Sequence, residues 1–181
     1  MFSHQDLLRT CLWRKSWLVL VLLGSTLIYP HLLGDGPERG LRIKASYVFN
    51  FLRYTTWKED AGGVIKVAVI GSREFLEPLK KMEKERVWDR PIQVHSLEKI
   101  EDLPENCHVL VVVDEETEID FHAIPKGVLT VTDQRFGIKN GAMIRFFKEG
   151  DRVLFKVDYR RVLKADIKMS SRLLRVAKLV K

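Results

Sequence analysis

The sequence predicts an α/β fold: a single domain on a central mixed sheet of about six strands, parallel in its first part, ending in an antiparallel hairpin and flanked by helices. Val64 to Ile70 and His108 to Val113 are short, nearly continuous apolar runs rich in β-branched residues, the pattern of strands covered on both faces. Between them, Phe75 to Arg86 has apolar residues at helical spacing, giving the strand–helix–strand order of a parallel sheet. Ala142 to Phe147 and Arg152 to Asp158 read as two strands joined by the short turn Lys148-Glu149-Gly150-Asp151, hence a hairpin.

The chain has 181 residues, and its first 40 differ from the rest. Ser16 to Gly34 is an uncharged, largely apolar run directly preceded by Arg14 and Lys15, the pattern of an export signal. Positive charge before the run holds the N-terminus in the cytoplasm, so the chain from about Asp35 onward is expected beyond the inner membrane. A small-x-small cleavage pattern occurs weakly at Gly24-Ser25-Thr26, so the segment is read as a signal peptide or an uncleaved anchor, followed by a short linker. Residues 41–181 then form one domain with one core.

Leu41 to Trp57 is expected to be the first helix, because Tyr47, Val48, Phe51, Leu52 and Thr55 recur at spacings of three and four. Trp57 closes that stripe and is expected to pack between the helix and the sheet. The Gly62-Gly63 pair ends this segment ahead of the first strand. Gly71-Ser72 then turns the chain into the Phe75 to Arg86 helix, with Ser72 placed to cap it and Glu74 in its first turn. Pro91 to Leu97 and Val128 to Thr132 supply two more strands, and Asp114 to Ile124 an acidic connection. A closing basic helix spans about Ser170 to Val180, with Leu173, Leu174, Val176, Ala177 and Val180 as its buried stripe.

Catalytic groupings do not stand out. Gly71-Ser72 is not part of a nucleotide-binding glycine motif, and no nucleophile-elbow pattern occurs. His95, His108 and His122 lack metal-ligand spacing, and the carboxylates from Asp114 to Asp120 lack the glycine and alternation of a calcium loop. Cys11 lies in the leader, so the exported body keeps only Cys107, which reads as a small buried hydrophobe at a strand start. Neither a cofactor nor a metal is expected, and the chain is read as a non-enzyme.

The net charge of +7 is concentrated at the C-terminal end, where residues 152–181 hold ten Lys/Arg against two Asp. Export removes nucleic acid from the partners such a surface meets, leaving anionic lipid or an acidic protein. Arg172 and Arg175 recur at a three-residue step on a face away from the apolar stripe, so they are either a solvated basic face, the commoner case, or candidate partner-binding residues. Trp57 is a third candidate, for a partner or a small ligand.

Two stretches resemble a known family. Lys44-Ala45-Ser46-Tyr47-Val48-Phe49-Asn50-Phe51-Leu52-Arg53-Tyr54-Thr55-Thr56-Trp57 resembles the opening helix of the YfiR family, a domain long described as of unknown function. Val128-Leu129-Thr130-Val131-Thr132-Asp133, then Phe136, Gly141, Ile144, the strand Arg152 to Asp158 and Ser170 to Ala177 follow the same family's order and spacing. The resemblance covers residues 41–181, with a poorly matching middle at about 72–105. It implies a periplasmic regulator that, in the family's best-known member, represses a membrane diguanylate cyclase and is sequestered by an outer-membrane OmpA-like lipoprotein, with no catalysis. Lys58 stands where the family has Pro, Asn140-Gly141 replaces Gly-Gly, and the family's disulfide-forming cysteines are reduced to Cys107.

The function expected is therefore a non-enzymatic extracytoplasmic adaptor for a membrane diguanylate cyclase or sensor kinase. The alternative is a periplasmic small-molecule binding protein. A homodimer is compatible with either, and a hydrolase with an unrecognised site ranks last.

Overall fold

The structure is a computed structural model that describes residues 37–58, 62–114 and 116–180. The predicted leader lies outside these residues. The first element is α1 (Pro37–Arg53), followed by the short strand β1 (Thr55–Trp57). Next come β2 (Ile65–Gly71), α2 (Arg73–Lys80), β3 (Arg86–Val87), β4 (Arg90–Ser96), β5 (Val109–Val113) and β6 (Leu129–Thr132). The chain ends with β7 (Ile144–Glu149), β8 (Arg152–Val157), α3 (Tyr159–Lys164), β9 (Ile167–Met169), α4 (Ser171–Val176) and β10 (Lys178–Leu179).

Eight strands form the main sheet in the order β10-β8-β7-β6-β5-β2-β4-β3, and β1 and β9 form a separate two-stranded ribbon. The six strands expected from the sequence are the six long ones, and they occupy the middle of the main sheet. The parallel part runs from β4 through β2, β5 and β6 to β7, and β7 and β8 pair antiparallel from Ile144↔Val157 to Glu149↔Arg152. The four additional strands have two or three residues each, too few for a period-two pattern to register.

Period-two alternation sorts the long strands between two cores. Ile65, Val67 and Val69 of β2, Val109 and Val111 of β5, and Leu129 and Val131 of β6 face the larger core. Ala68, Ile70, Leu110 and Val112 face the smaller one. Such strands read as continuous apolar runs because both faces are covered. The covers differ, however. Buried side chains from all four helices, including Val48 and Phe51 of α1, Phe75 and Leu79 of α2, Val162 of α3 and Leu173 of α4, lie in the larger core. Opposite, the cover is loop carrying Ile119 and Val128 and two short 3-10 turns, one with Ile100 and one with Phe121.

Helix α1 is clamped onto the β7–β8 hairpin by aromatic rings. Phe51 meets Phe155 edge-on at 5.0 Å and stacks with Phe146 at 5.9 Å, while Tyr47 meets Phe155 edge-on at 5.1 Å. The Tyr47 hydroxyl donates to the Val153 carbonyl at 3.3 Å. One turn earlier on the helix, Lys44 Nζ reaches Asp133 Oδ2 just past β6 at 2.6 Å, with both side chains largely shielded at 14% and 18% exposure.

The first helix begins at Pro37 rather than Leu41, inside the expected linker, and three helix ends also differ from the sequence expectation. The first helix ends at Arg53, not Trp57: the Tyr54 amide donates to Asn50 O, and the β-branched Thr55-Thr56 pair then continues in extended form, with Thr55 fully buried. Arg86 belongs to β3 rather than to the second helix, which contains Pro78 and gives way to a 3-10 turn at Lys81. The closing helix stops at Val176, because Lys178 and Leu179 pair with Lys156 and Val157 as an edge strand. Val176 is accordingly 66% exposed rather than part of the buried stripe, whereas Leu173 is buried.

Phe51 is fully buried at the centre of the aromatic clamp, so Phe51→Ala is expected to destabilise the domain by about 3 to 5 kcal/mol. Urea unfolding followed by circular dichroism measures this. A loss under about 1 kcal/mol would remove the clamp from its central place.

Candidate functional site

A groove of about 700 Å³ opens where the end of α1, the β1–β9 ribbon, the β3–β4 hairpin and the start of α4 meet. Each element delivers its side chains for a local reason. Arg53 is the last residue of α1, its guanidinium set over the rings of Phe49 at 5.8 Å and Tyr54 at 6.0 Å. In the ribbon, Thr55↔Met169 and Trp57↔Ile167 are the outer register pairs and turn toward the core. Strand alternation therefore turns the middle pair, Thr56↔Lys168, out to solvent and into the groove. Ser170 caps α4 by accepting from the Leu173 amide, and its own amide donates to Tyr54 O at 2.8 Å. That seam brings Arg172 into the same groove as Arg53.

The opposite wall is the two-residue hairpin turn between β3 and β4. Val87 pairs with Arg90, leaving Trp88 and Asp89 as the central residues, with φ of 54° and 62°. Positive φ at both positions is the type I′ geometry usually filled by Asn-Gly. A bulky side chain there costs roughly 1–2 kcal/mol of backbone strain. Arg86 braces the turn, its Nε 3.1 Å from both the carbonyl and the carboxylate of Asp89. Trp88 nonetheless remains 64% exposed.

The groove is thus lined by Arg53, Arg86, Lys168 and Arg172, together with Trp88, and by no carboxylate side chain. Of the four cations only Arg86 has a carboxylate partner among the described residues. The arrangement offers guanidinium forks, an ammonium and an aromatic face to a negatively charged surface. It presents no paired acid and base, nucleophile or oxyanion cradle.

Of the residues singled out from the sequence, Arg172 lines this groove. Arg175 is exposed on the same helix but lines neither cavity described here. Trp57 lies elsewhere, at a second cavity of about 600 Å³ below the amino ends of β2, β5 and β6. Its indole is half-buried, edge-on to the His108 ring at 5.3 Å, and its Nε1–H is buried without an acceptor among the described residues. Trp57 packs against the main core from the β1–β9 ribbon rather than from the helix. Sequence reasoning missed Arg53, Arg86, Trp88 and Lys168, because three of them lie in strands of two or three residues or in the turn after one, where no periodic pattern registers, and Arg53 falls on the polar side of the first helix.

Cys107 is buried among apolar groups, which pushes its thiol up to about 11, so it is protonated and inert at neutral pH. In the acidic connection, Asp114 is held below the usual carboxylate range by hydrogen bonds from the Thr117 hydroxyl and the Glu116 amide. Its charge is satisfied within the loop. Among the described residues, no group of three His, Cys, Asp or Glu could hold a metal.

A family model described as YfiR/HmsC-like (DUF4154) matches residues 41–178. The chain belongs to the YfiR/HmsC-like family. No curated protein matches it. The family is regulatory rather than catalytic, and it is periplasmic. Among the described residues no helix is long and apolar enough to cross a membrane. Its two signature stretches meet in space: Lys44 of the opening helix is the ion-pair partner of Asp133, which ends the second stretch's first strand. Gly141, in the second stretch, has φ of 100° and would place a Cβ 2.7 Å from the His122 amide nitrogen, so no larger residue fits there. Arg86 and Trp88 belong to the chain's middle, where the resemblance to family motifs is weakest.

The unpaired indole N–H gives Trp57 a distinct signature. Trp57→Phe removes a buried donor that has no partner and is expected to leave stability within about 1 kcal/mol of the parent. Trp57→Ala, by contrast, is expected to cost roughly 3 kcal/mol through lost packing. Equal losses for the two in thermal unfolding would mean that the indole N–H is bonded in solution.

Proposed function

We propose that this chain is an exported, non-enzymatic regulatory adaptor in c-di-GMP signalling, and that the basic groove is the surface it presents to an acidic face of a membrane signalling partner. The partner proposed is a membrane diguanylate cyclase, with a sensor kinase as the other candidate and an OmpA-like lipoprotein as a second binding protein. The observation that carries this reading is the groove itself: four cations and an exposed tryptophan with no carboxylate in the lining. Membership in a regulatory family supports the adaptor role, and Arg14-Lys15 before the apolar run supports export.

Arg172 and Arg175 are both exposed, so reversing their charge perturbs binding without perturbing the fold. Arg172→Glu with Arg175→Glu is expected to leave the melting temperature nearly unchanged while releasing the partner, read as a rise in cellular c-di-GMP to the level of a deletion strain. Binding of the parent chain should weaken with salt, since the Debye length falls from ~10 Å at 0.1 M to ~3 Å at 1 M. Wild-type regulation and salt response in the double variant would sink the docking role of the groove. Export is checked separately by fusing residues 1–45 to alkaline phosphatase, where an inactive cytoplasmic fusion overturns the periplasmic assignment.

A second reading, capture of a small molecule, is favoured by one observation: the unpaired Trp57 Nε1–H beside a cavity that also contains Lys66, Lys126 and His108. A ligand seated there would change Trp57 fluorescence without responding to charge reversal at Arg172.

A further inference from the structure

We propose that Trp88 is a preorganised anchor that selects the partner, inserting into an apolar pocket flanked by acidic residues on the membrane protein. The inference rests on the docking role of the groove and adds to it the residue that makes docking specific. Three observations meet at this side chain.

The first is conformational. A two-residue hairpin of this kind accommodates Asn-Gly with little strain, yet Trp88 holds the first position with φ of 54° and Asp89 the second with φ of 62°. Backbone strain of this kind persists where surrounding structure enforces it, and it concentrates at functional sites. Here the enforcement is visible below the turn: Val87 is buried in the main core, and Arg86 grips the Asp89 carbonyl and carboxylate.

The second is exposure. Packing within the domain does not offset the strain, because the indole is 64% exposed and the largest side chain so presented among the described residues. A rigid aromatic on a braced turn loses little freedom when a partner closes over it, which is the economy of a preorganised binding residue.

The third is company. Trp88 shares its groove with Arg53, Arg86, Lys168 and Arg172. Tryptophan and arginine are among the residue types most enriched in the side chains that dominate binding energy, and a buried aromatic anchor inside a polar rim is the usual layout. Arg86 is paired with Asp89, but Arg53, Lys168 and Arg172 have no carboxylate partner among the described residues, and these three cations specify an acidic rim on the occupant. A segment of an acidic partner protein with an exposed apolar notch satisfies both parts. An anionic lipid surface satisfies the charge but does not need the strained turn.

The test places a photo-crosslinking p-benzoylphenylalanine at Lys168 of the full chain, expressed in its host, and follows the adduct in the membrane fraction. A discrete adduct with a membrane protein is expected, abolished by Arg172→Glu and reduced roughly tenfold or more by Trp88→Ala. Loss with Arg172→Glu but full yield with Trp88→Ala would overturn the anchor and leave the groove standing. No adduct, an adduct of twice the chain's own mass, or a lipid adduct alone would overturn the groove as a partner site and the anchor with it. A stability arm separates binding from folding. Trp88→Asn relieves the turn and is expected to raise the melting temperature by about 2 to 4 °C while losing the adduct. A fall in melting temperature would instead make Trp88 a structural residue and overturn the proposal.

Discussion

The clamp between α1 and the β7–β8 hairpin is the contact on which the rest depends. Tyr47 and Phe51 on one side and Phe146 and Phe155 on the other join segments about a hundred residues apart in sequence. Because the clamp fixes the helix along its length, it also fixes where the helix ends. From that end follow the direction of β1, the pairing of β1 with β9, and the seam between Tyr54 and Ser170 that starts α4. The groove is therefore assembled from residues far apart in the chain and oriented by one aromatic cluster outside its lining.

The opposite end of the sheet explains why the groove, and not the usual crevice, is the open surface. In open α/β sheets, ligands commonly sit beyond the carboxyl ends of the parallel strands, where the connections diverge. Here that region is filled by the protein itself. The Gln134 side chain donates to the Asp114 and Thr117 carbonyls, Arg145 donates to the Gln134 carbonyl at 2.9 Å, and Lys44 reaches Asp133. The ion pair is shielded and leaves Asp133 Oδ1 buried without a partner among the described residues, so its removal from one side alone would strand a charge. These bonds tie α1 to the loops after β5 and β6.

How far the sequence could be read depended on segment length. Strands β2, β4, β5, β6, β7 and β8 each have four or more residues, and their apolar runs or alternation made them and the hairpin legible. The stripe Val48, Phe51, Leu52 and Thr55 was legible as buried, although the last of these proved to lie in a strand. Four strands of two or three residues and the one-and-a-half-turn α3 were not legible, since their conformation is imposed by pairing partners distant in sequence. The groove is built almost entirely from such elements. That is why Arg172, on a periodic helix, could be named in advance, while Lys168 and Trp88 could not. The positive φ at Trp88 runs against local preference, and no pattern in the sequence announces it.

The unequal cover of the two sheet faces has a dynamic consequence. On one side, β2 and β5 lie under helices whose backbone bonds are internal; on the other, they lie under loop and two short 3-10 turns. Local opening follows the cheapest path, through segments with few apolar contacts and solvent-exposed backbone bonds. The domain is therefore hinged toward unfolding from its loop-covered side. Amides of the Ile119 to Ile124 stretch are expected to exchange with solvent through more local openings than those of α1 under the aromatic clamp.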